Sequence, residues 1–183
     1  MKMLVHRVVT NPNTPFLLDA LRLYLRVDHD DDLTLIEGIG ITSASEIEHF
    51  AQIALLTQTI RVTVFDPATG DCGLRLPIGP AADDAGVSVT VDGQPFMDFE
   101  FAGGNRPYIR WLASWHSLQP SRVTIEYEAG FAAEPAGIPV DLAQAIMDQA
   151  ALHYDGRAPM AAGTMSTSPH MARIAARYRG VSL

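Results

Sequence analysis

Between Val123 and Asp155 the chain changes its hydrophobic period, and this stretch limits the fold more than any other. VTIEYEAG alternates apolar and polar residues, the pattern of a strand with one buried face. A Gly/Pro/Ala linker follows over residues 129–137. IPVDLAQAIMDQAALHYD then repeats apolar residues every three or four positions, which is helical. Leu142, Ile146, Gln149 or Ala150, and His153 share one face of that helix, with Ala145, Met147 and Leu152 beside them. Pro139 suits its first turn, and Asp141 brings a negative charge to its positive end.

A second change of period falls at Thr57. Before it the chain reads as helical. Thr14-Pro15 offers an N-cap and a first-turn proline for FLLDALRLYLRV, with Leu17, Leu21, Tyr24 and Leu25 on one face and Asp19, Arg22 and Arg26 on the other. Residues 1–13 read as an extended arm, because Asn11-Pro12-Asn13 is a turn signal. A second helix is predicted from about Asp32 to Leu56. Its narrow seam is Leu33, Ile36, Gly40, Ala44, Ile47, Ala51 and Ala54. Gly38 and Gly40 each cost about 1 kcal/mol relative to alanine inside a helix, so they predict a kink or a close backbone contact.

After Thr57 the period is two. Thr59–Asp66, Gly73–Ile78, Val87–Val91, Phe96–Phe101, Tyr108–Leu112 and Arg122–Glu128 make about six short strands at close spacing. Asp92-Gly93 is a hairpin signal, and the phenylalanine-rich faces with Trp111 read as core. The expected fold class is α+β: a helical bundle of two N-terminal and two C-terminal helices, with an inserted small antiparallel β-sandwich or barrel. The expected divisions are an arm and helices over 1–57, a β-rich insertion over 58–130, and helices and tail over 131–183 that pack with the N-terminal helices as one domain. Within that last part, residues 156–168 read as mobile, Pro169–Arg179 as a short helix, and 180–183 as a free tail.

Composition narrows the function classes. With 48% apolar and 19% charged residues the chain is globular. Its apolar runs fall far short of the roughly 18 residues of a membrane span. MKMLVHRVV is interrupted by His6 and Arg7 and lacks a cleavage site, so no signal peptide is read. Cys72 is the only cysteine, which points to a reducing compartment. The net charge is −8, yet residues 156–183 hold Arg157, Arg173, Arg177 and Arg179 and no acid. Such an acidic body is a poor general binder of nucleic acid. The basic end either docks on an acidic surface or simply solvates a terminal helix.

No chemistry is expected. There is no Gly-x-Ser-x-Gly elbow, no histidine pair at ligand spacing, and nothing that marks Cys72 as a nucleophile. His49 reads as a solvated surface residue, and His153 as a structural residue at a helix end. Gly103-Gly104 is followed by neither a helix nor a lysine, so it is no phosphate loop. The acidic run Asp28 to Asp32 lacks the glycine and distal glutamate of a calcium loop, and Asp30 to Asp32 read instead as the cap and first-turn acids of the second helix. No catalytic residue, cofactor or metal site is therefore assigned.

The order of several segments resembles the head–tail connector, or adaptor, proteins of tailed phages and phage-like gene transfer agents. The residues that carry the likeness are Leu25-Arg26-Val27-Asp28 with the acid run and Leu33, Gln58-Thr59 entering the first strand, and Tyr127-Glu128-Ala129-Gly130-Phe131 leaving the last one. Ile138-Pro139-Val140-Asp141-Leu142 with Ala145-Ile146, His153-Tyr154-Asp155 with Arg157, and a terminal Tyr178-Arg179 complete the set. The interrupting Gly38 and Gly40 depart from the alanine- and glutamate-rich second helix that is common in that family.

The resemblance implies a non-enzymatic structural protein whose copies form a ring, twelve-fold in the family, between a portal protein and a tail or stopper protein. DNA would pass through that ring without sequence-specific binding, and no membrane is involved. The place implied is the bacterial cytoplasm during assembly and then the neck of the particle. The C-terminal segment would reach the portal through Arg173, Arg177, Tyr178 and Arg179, and removal of residues 169–183 is expected to leave the fold intact. The alternative is a non-catalytic carbohydrate- or protein-binding β-module with helical flanks, which predicts Trp111, Trp115 and Tyr108 exposed together.

Overall fold

The computed structural model describes residues 2–156 and 167–180. The segment 157–166, with Arg157, and the tail 181–183 lie outside the described residues. The chain forms two compact units: Met1–Asn11 with Thr57–Gly130, and Pro12–Leu56 with Phe131–Leu183.

The first unit is built from two antiparallel sheets. Strand β1 (Lys2–Val9) pairs with β2 (Gln58–Phe65), β2 with β8 (Arg122–Ala129), β8 with β4 (Ser88–Val91), and β4 with β5 (Gln94–Phe96). The second sheet is β3 (Gly73–Arg75), β7 (Tyr108–Trp111) and β6 (Phe99–Ala102), in that order. Residues 2–9, expected as an arm ahead of the helices, are thus an edge strand. Met3, Val5 and Arg7 stand opposite Val64, Val62 and Ile60. Their partner lies some fifty residues later, so no local pattern announces the pairing.

Alternation holds across the large sheet. Ile60, Val62, Val64, Val123, Ile125 and Tyr127 are all 1% exposed or less. Asp92 and Gly93 have φ of 49° and 86°, the left-handed pair that a two-residue hairpin turn needs between β4 and β5. The Phe96–Phe101 run, expected as one strand, is divided between the two sheets. Asp98 sits at the break, where its carbonyl accepts from Leu112 N and its Oδ2 from Ser114 N. The aromatic core spans both sheets. Trp111 stacks on Trp115 with centroids 4.3 Å apart, and Phe96 meets both rings edge-on. The Tyr127 hydroxyl donates to Ile78 O at 2.8 Å and accepts from Ile78 N at 3.3 Å, which ties the loop after β3 to β8. Burial raises its pKa far above the ordinary tyrosine value.

Among the described residues the second unit holds four helices: α1 (Leu18–Tyr24), α2 (Leu33–Ala51), α3 (Val140–Asp155) and α4 (Pro169–Tyr178). Thr14 is not the cap of α1; its hydroxyl bonds to Phe16 O at 2.9 Å. Phe16 turns inward and is buried, which delays the helix start to Leu18 and leaves Leu17 exposed. Helix α2 runs unbroken through both glycines and buries Ile36, Gly40, Ser43, Ala44, Ile47 and Ala51. It stops five residues before the expected end at Leu56, because Gln52 is left-handed (φ 54°, ψ 50°). Ile53 to Leu56 still enter the core, as extended chain.

Of the acidic run only Asp32 reaches the N-cap position of α2, where its carbonyl accepts from Ile36 N at 2.9 Å, and no acid lies in the first turn. Asp32 makes no side-chain cap bond; its carboxylate accepts from Tyr154 OH at 3.2 Å. Asp30 pairs with Arg22 at 2.8 Å, and Arg22 also donates to the carbonyls of Val27 and Asp28. These residues close the α1–α2 loop rather than begin a helix.

Leu142, Ala145, Ile146 and Ala150 of α3, and Met171, Ile174 and Ala175 of α4, share one core with α2. Because α4 contributes Met171, Ile174 and Ala175 to that core, a truncation that removes it exposes apolar surface of α2 and α3, which argues against the expectation that the fold survives it.

Candidate assembly interface

Helix α4 is held at both ends by polar contacts from α3. At its start, the Ser168 hydroxyl accepts from Met171 N, and Ser168 N donates to Gln149 Oε1 at 2.8 Å. Gln149 is buried and satisfied at both ends of its amide, since its Nε2 donates to Glu46 Oε2 of α2 at 2.7 Å. His153, one turn along α3, meets the same carboxylate oxygen at 2.9 Å. One buried amide therefore links α2, α3 and α4. The sequence gives part of this, since Gln149 and His153 share a face at four-residue spacing. It does not show that Glu46 completes the set.

Asp148 lies beside this ladder. It accepts from Tyr24 OH and from Gln144 Nε2, and its other oxygen meets His170 Nδ1. Burial alone would raise its pKa, but the bonds from Tyr24, His170 and Gln144 together outweigh burial and hold the carboxyl below the ordinary value.

Of the four residues expected to dock on a partner, three are engaged with the chain's own residues. Tyr178 OH donates to Asp141 Oδ1 at 2.7 Å, and its ring lies edge-on to Phe131. Burial first, and then the Asp141 carboxylate, push its pKa up to about 12. Arg177 Nη1 lies 3.7 Å from Asp141 Oδ2. The Arg179 guanidinium lies over the Phe50 ring, 5.6 Å from its centroid. Arg173 is exposed on α4, with no hydrogen bond or ion pair to another described residue.

The outward surface of α2 is unusual for an exposed helix. Thr34, Leu35, Gly38, Ile41, Thr42, Ser45 and His49 are exposed, and none of them is an acid, a lysine or an arginine. At its C-terminal end this surface runs into an open groove of about 450 Å³ lined by Ser45, Glu46, His49, Phe50, Thr167 and Met171. Leu23 on α1 is 80% exposed, and Val140 at the start of α3 is 86% exposed. In the β unit, by contrast, Trp115 is fully buried and Trp111 nearly so, while only Tyr108 reaches the surface. The aromatic platform of a sugar-binding module is not formed. Among the described residues, no three His, Cys, Asp or Glu side chains gather in a way that can hold a metal ion.

No family model matches the chain, and no curated protein matches it. Solved structures do match. A chain of the "Virion of native gene transfer agent (GTA) particle" superposes with a TM-score of 0.79 and 26% identity, over 98% of this chain and 97% of that one. A chain of the "Neck of empty GTA particle computed with C6 symmetry" gives 0.78 and 26% over the same shares. The "Neck of native GTA particle computed with C12 symmetry" gives 0.77 at 24% identity, again over 98% and 97%, and shows the shared fold. Matches that run the length of both chains define a structural component of a phage-like particle. Over its whole length the chain is thus similar to chains of gene transfer agent particles, among them one in the neck.

Proposed function

We propose that copies of this chain form a ring, twelve-fold as in the family it resembles, that joins the portal to a tail or stopper protein and lets DNA pass. The observation that carries this reading is the full-length likeness to a chain of a native gene transfer agent particle, at a TM-score of 0.79. The neck symmetries of the similar structures, six-fold and twelve-fold, favour a ring of identical copies. The ring assembles in the bacterial cytoplasm and ends in the neck of the particle. Without residues 156–183 the chain carries a charge of −12, so a lumen lined by its body repels DNA phosphate rather than gripping it.

Arg173 leads the portal contact, because its side chain is exposed and it is the one docking candidate without a side-chain partner among the described residues. Arg177, Tyr178 and Arg179 form the shoulder behind it. The test is to mix the purified chain with purified portal protein of the same particle and image the product by electron microscopy. A stacked second ring is expected on the portal, and Arg173→Glu is expected to weaken its attachment while leaving thermal unfolding unchanged. A chain that never associates with the portal, or with itself in its presence, ends the connector-ring reading.

A further inference from the structure

We infer that the seam between neighbouring subunits is made by the outer face of α2, filled by the exposed α1 leucines of the next copy. This rests on the ring reading above and assigns it a surface. The starting point is Gly38. A glycine in mid-helix costs about 1 kcal/mol, so it persists where a side chain would be in the way. Gly40 has such a reason inside its own chain: a Cβ there would overlap the Phe16 ring and sit 2.8 Å from Leu21 Cδ2. Gly38 has none, since a Cβ there meets no atom within 4 Å. The residues one turn before and after it, Thr34, Leu35, Ile41 and Thr42, are all exposed and uncharged. Four residues set this way around a missing side chain form a hole for a knob from another helix.

The matching knob is on the same chain but out of reach of the hole. Helix α1 meets the inner face of α2, where Leu21 lies beside Gly40. Its other side presents Leu17, Ala20 and Leu23 at three-residue spacing, with Leu17 59% and Leu23 80% exposed. Two different patches on one copy make a head-to-tail contact, which a ring uses and a two-fold dimer does not. Electrostatics select the same surfaces. Copies that each carry −8 repel one another, so their seam belongs where acids are few, and the α2 residues around Gly38 are uncharged apart from the half-exposed Glu37.

The test has two parts, both on the full chain with purified portal protein. In a Cys72→Ser background, Leu23→Cys together with Gly38→Cys is expected to give disulfide-linked ladders of copies on mild oxidation, whereas either cysteine alone gives no species beyond a dimer. Separately, Gly38→Glu is expected to weaken ring formation by more than about tenfold while far-UV circular dichroism stays unchanged and the Tm of the free chain does not fall, since the site is open in the single chain. Rings formed normally by Gly38→Glu, with no ladder from the double cysteine, would overturn the seam and leave the ring reading standing. Loss of portal binding with self-association intact would also overturn it, by making this face a portal contact. Absence of any ring from the unmodified chain removes both.

Discussion

Helix α2 has two faces, and its two glycines show how differently they are used. Gly40 lies on the inner face, under the Phe16 ring and beside Leu21, in a core that leaves Ile36 and Ile47 with no exposed surface. Gly38 lies about half a turn away on an open face whose exposed residues are uncharged, with the half-exposed Glu37 at its edge. The inner glycine lets two parts of one chain approach closely. The outer one is an unspent allowance of space. An exposed helix face normally carries charged residues for solubility, so a bare one is informative in a way that a buried seam is not.

The contrast can be broken at several points. The largest effect is expected from paired isoleucines: Ile47→Ala empties part of the core and costs about 2–5 kcal/mol, whereas Ile41→Ala on the outer face stays within about 0.5 kcal/mol. Chemical denaturation of each variant decides this, and equal losses would mean that the outer face is covered within the single chain. Next, Gly40→Ala overpacks the Phe16 site and costs about 1–3 kcal/mol. Third, Asp148→Asn removes the negative charge that Tyr24, Gln144 and His170 share and replaces one of its two acceptor oxygens with a donor, which costs about 1 kcal/mol at neutral pH. The Asp148 pKa is depressed in the folded chain, so its contribution is complete above the ordinary carboxylate value of 3.8 and is lost as pH falls through the lower folded value. Urea midpoints of the two proteins should therefore converge only in strong acid; convergence already at pH 6 would contradict the assigned network. The smallest effect has the opposite sign. Gly38→Ala should stabilise the free chain by about 0.5–1 kcal/mol, measured as a rise in Tm.

Much of the inner architecture was legible because it follows local period. Ile60, Val62 and Val64 alternate as a buried strand should, Asp92-Gly93 turns a hairpin, and Ile36, Gly40, Ala44, Ile47 and Ala51 line the buried side of α2. The losses share one physical origin: they depend on partners distant in sequence. Lys2–Val9 become a strand only because β2 is available to them. Phe16 moves the start of α1 because Gly40 makes room for it. Tyr178, Arg177 and Arg179 looked free as a basic tail, but Asp141 and Phe50 receive them. For the candidate interface, Gly38 was visible as an anomaly. Its position on the open face was not, because a period of 3.6 with small residues on both sides fits more than one seam.

The interleaving of the two units sets the order in which a nascent chain can mature. Strand β2 lies between β1 and β8, so the large sheet stays incomplete until Ala129 has left the ribosome. The helical unit waits longer, since α2 gains its last apolar cover only when α4 emerges, some forty residues after β8. Contacts this far apart in sequence form slowly. The unit inferred to join subunits is therefore completed only after the large sheet, and a growing polypeptide offers its neighbours no finished helical unit before α4 has emerged.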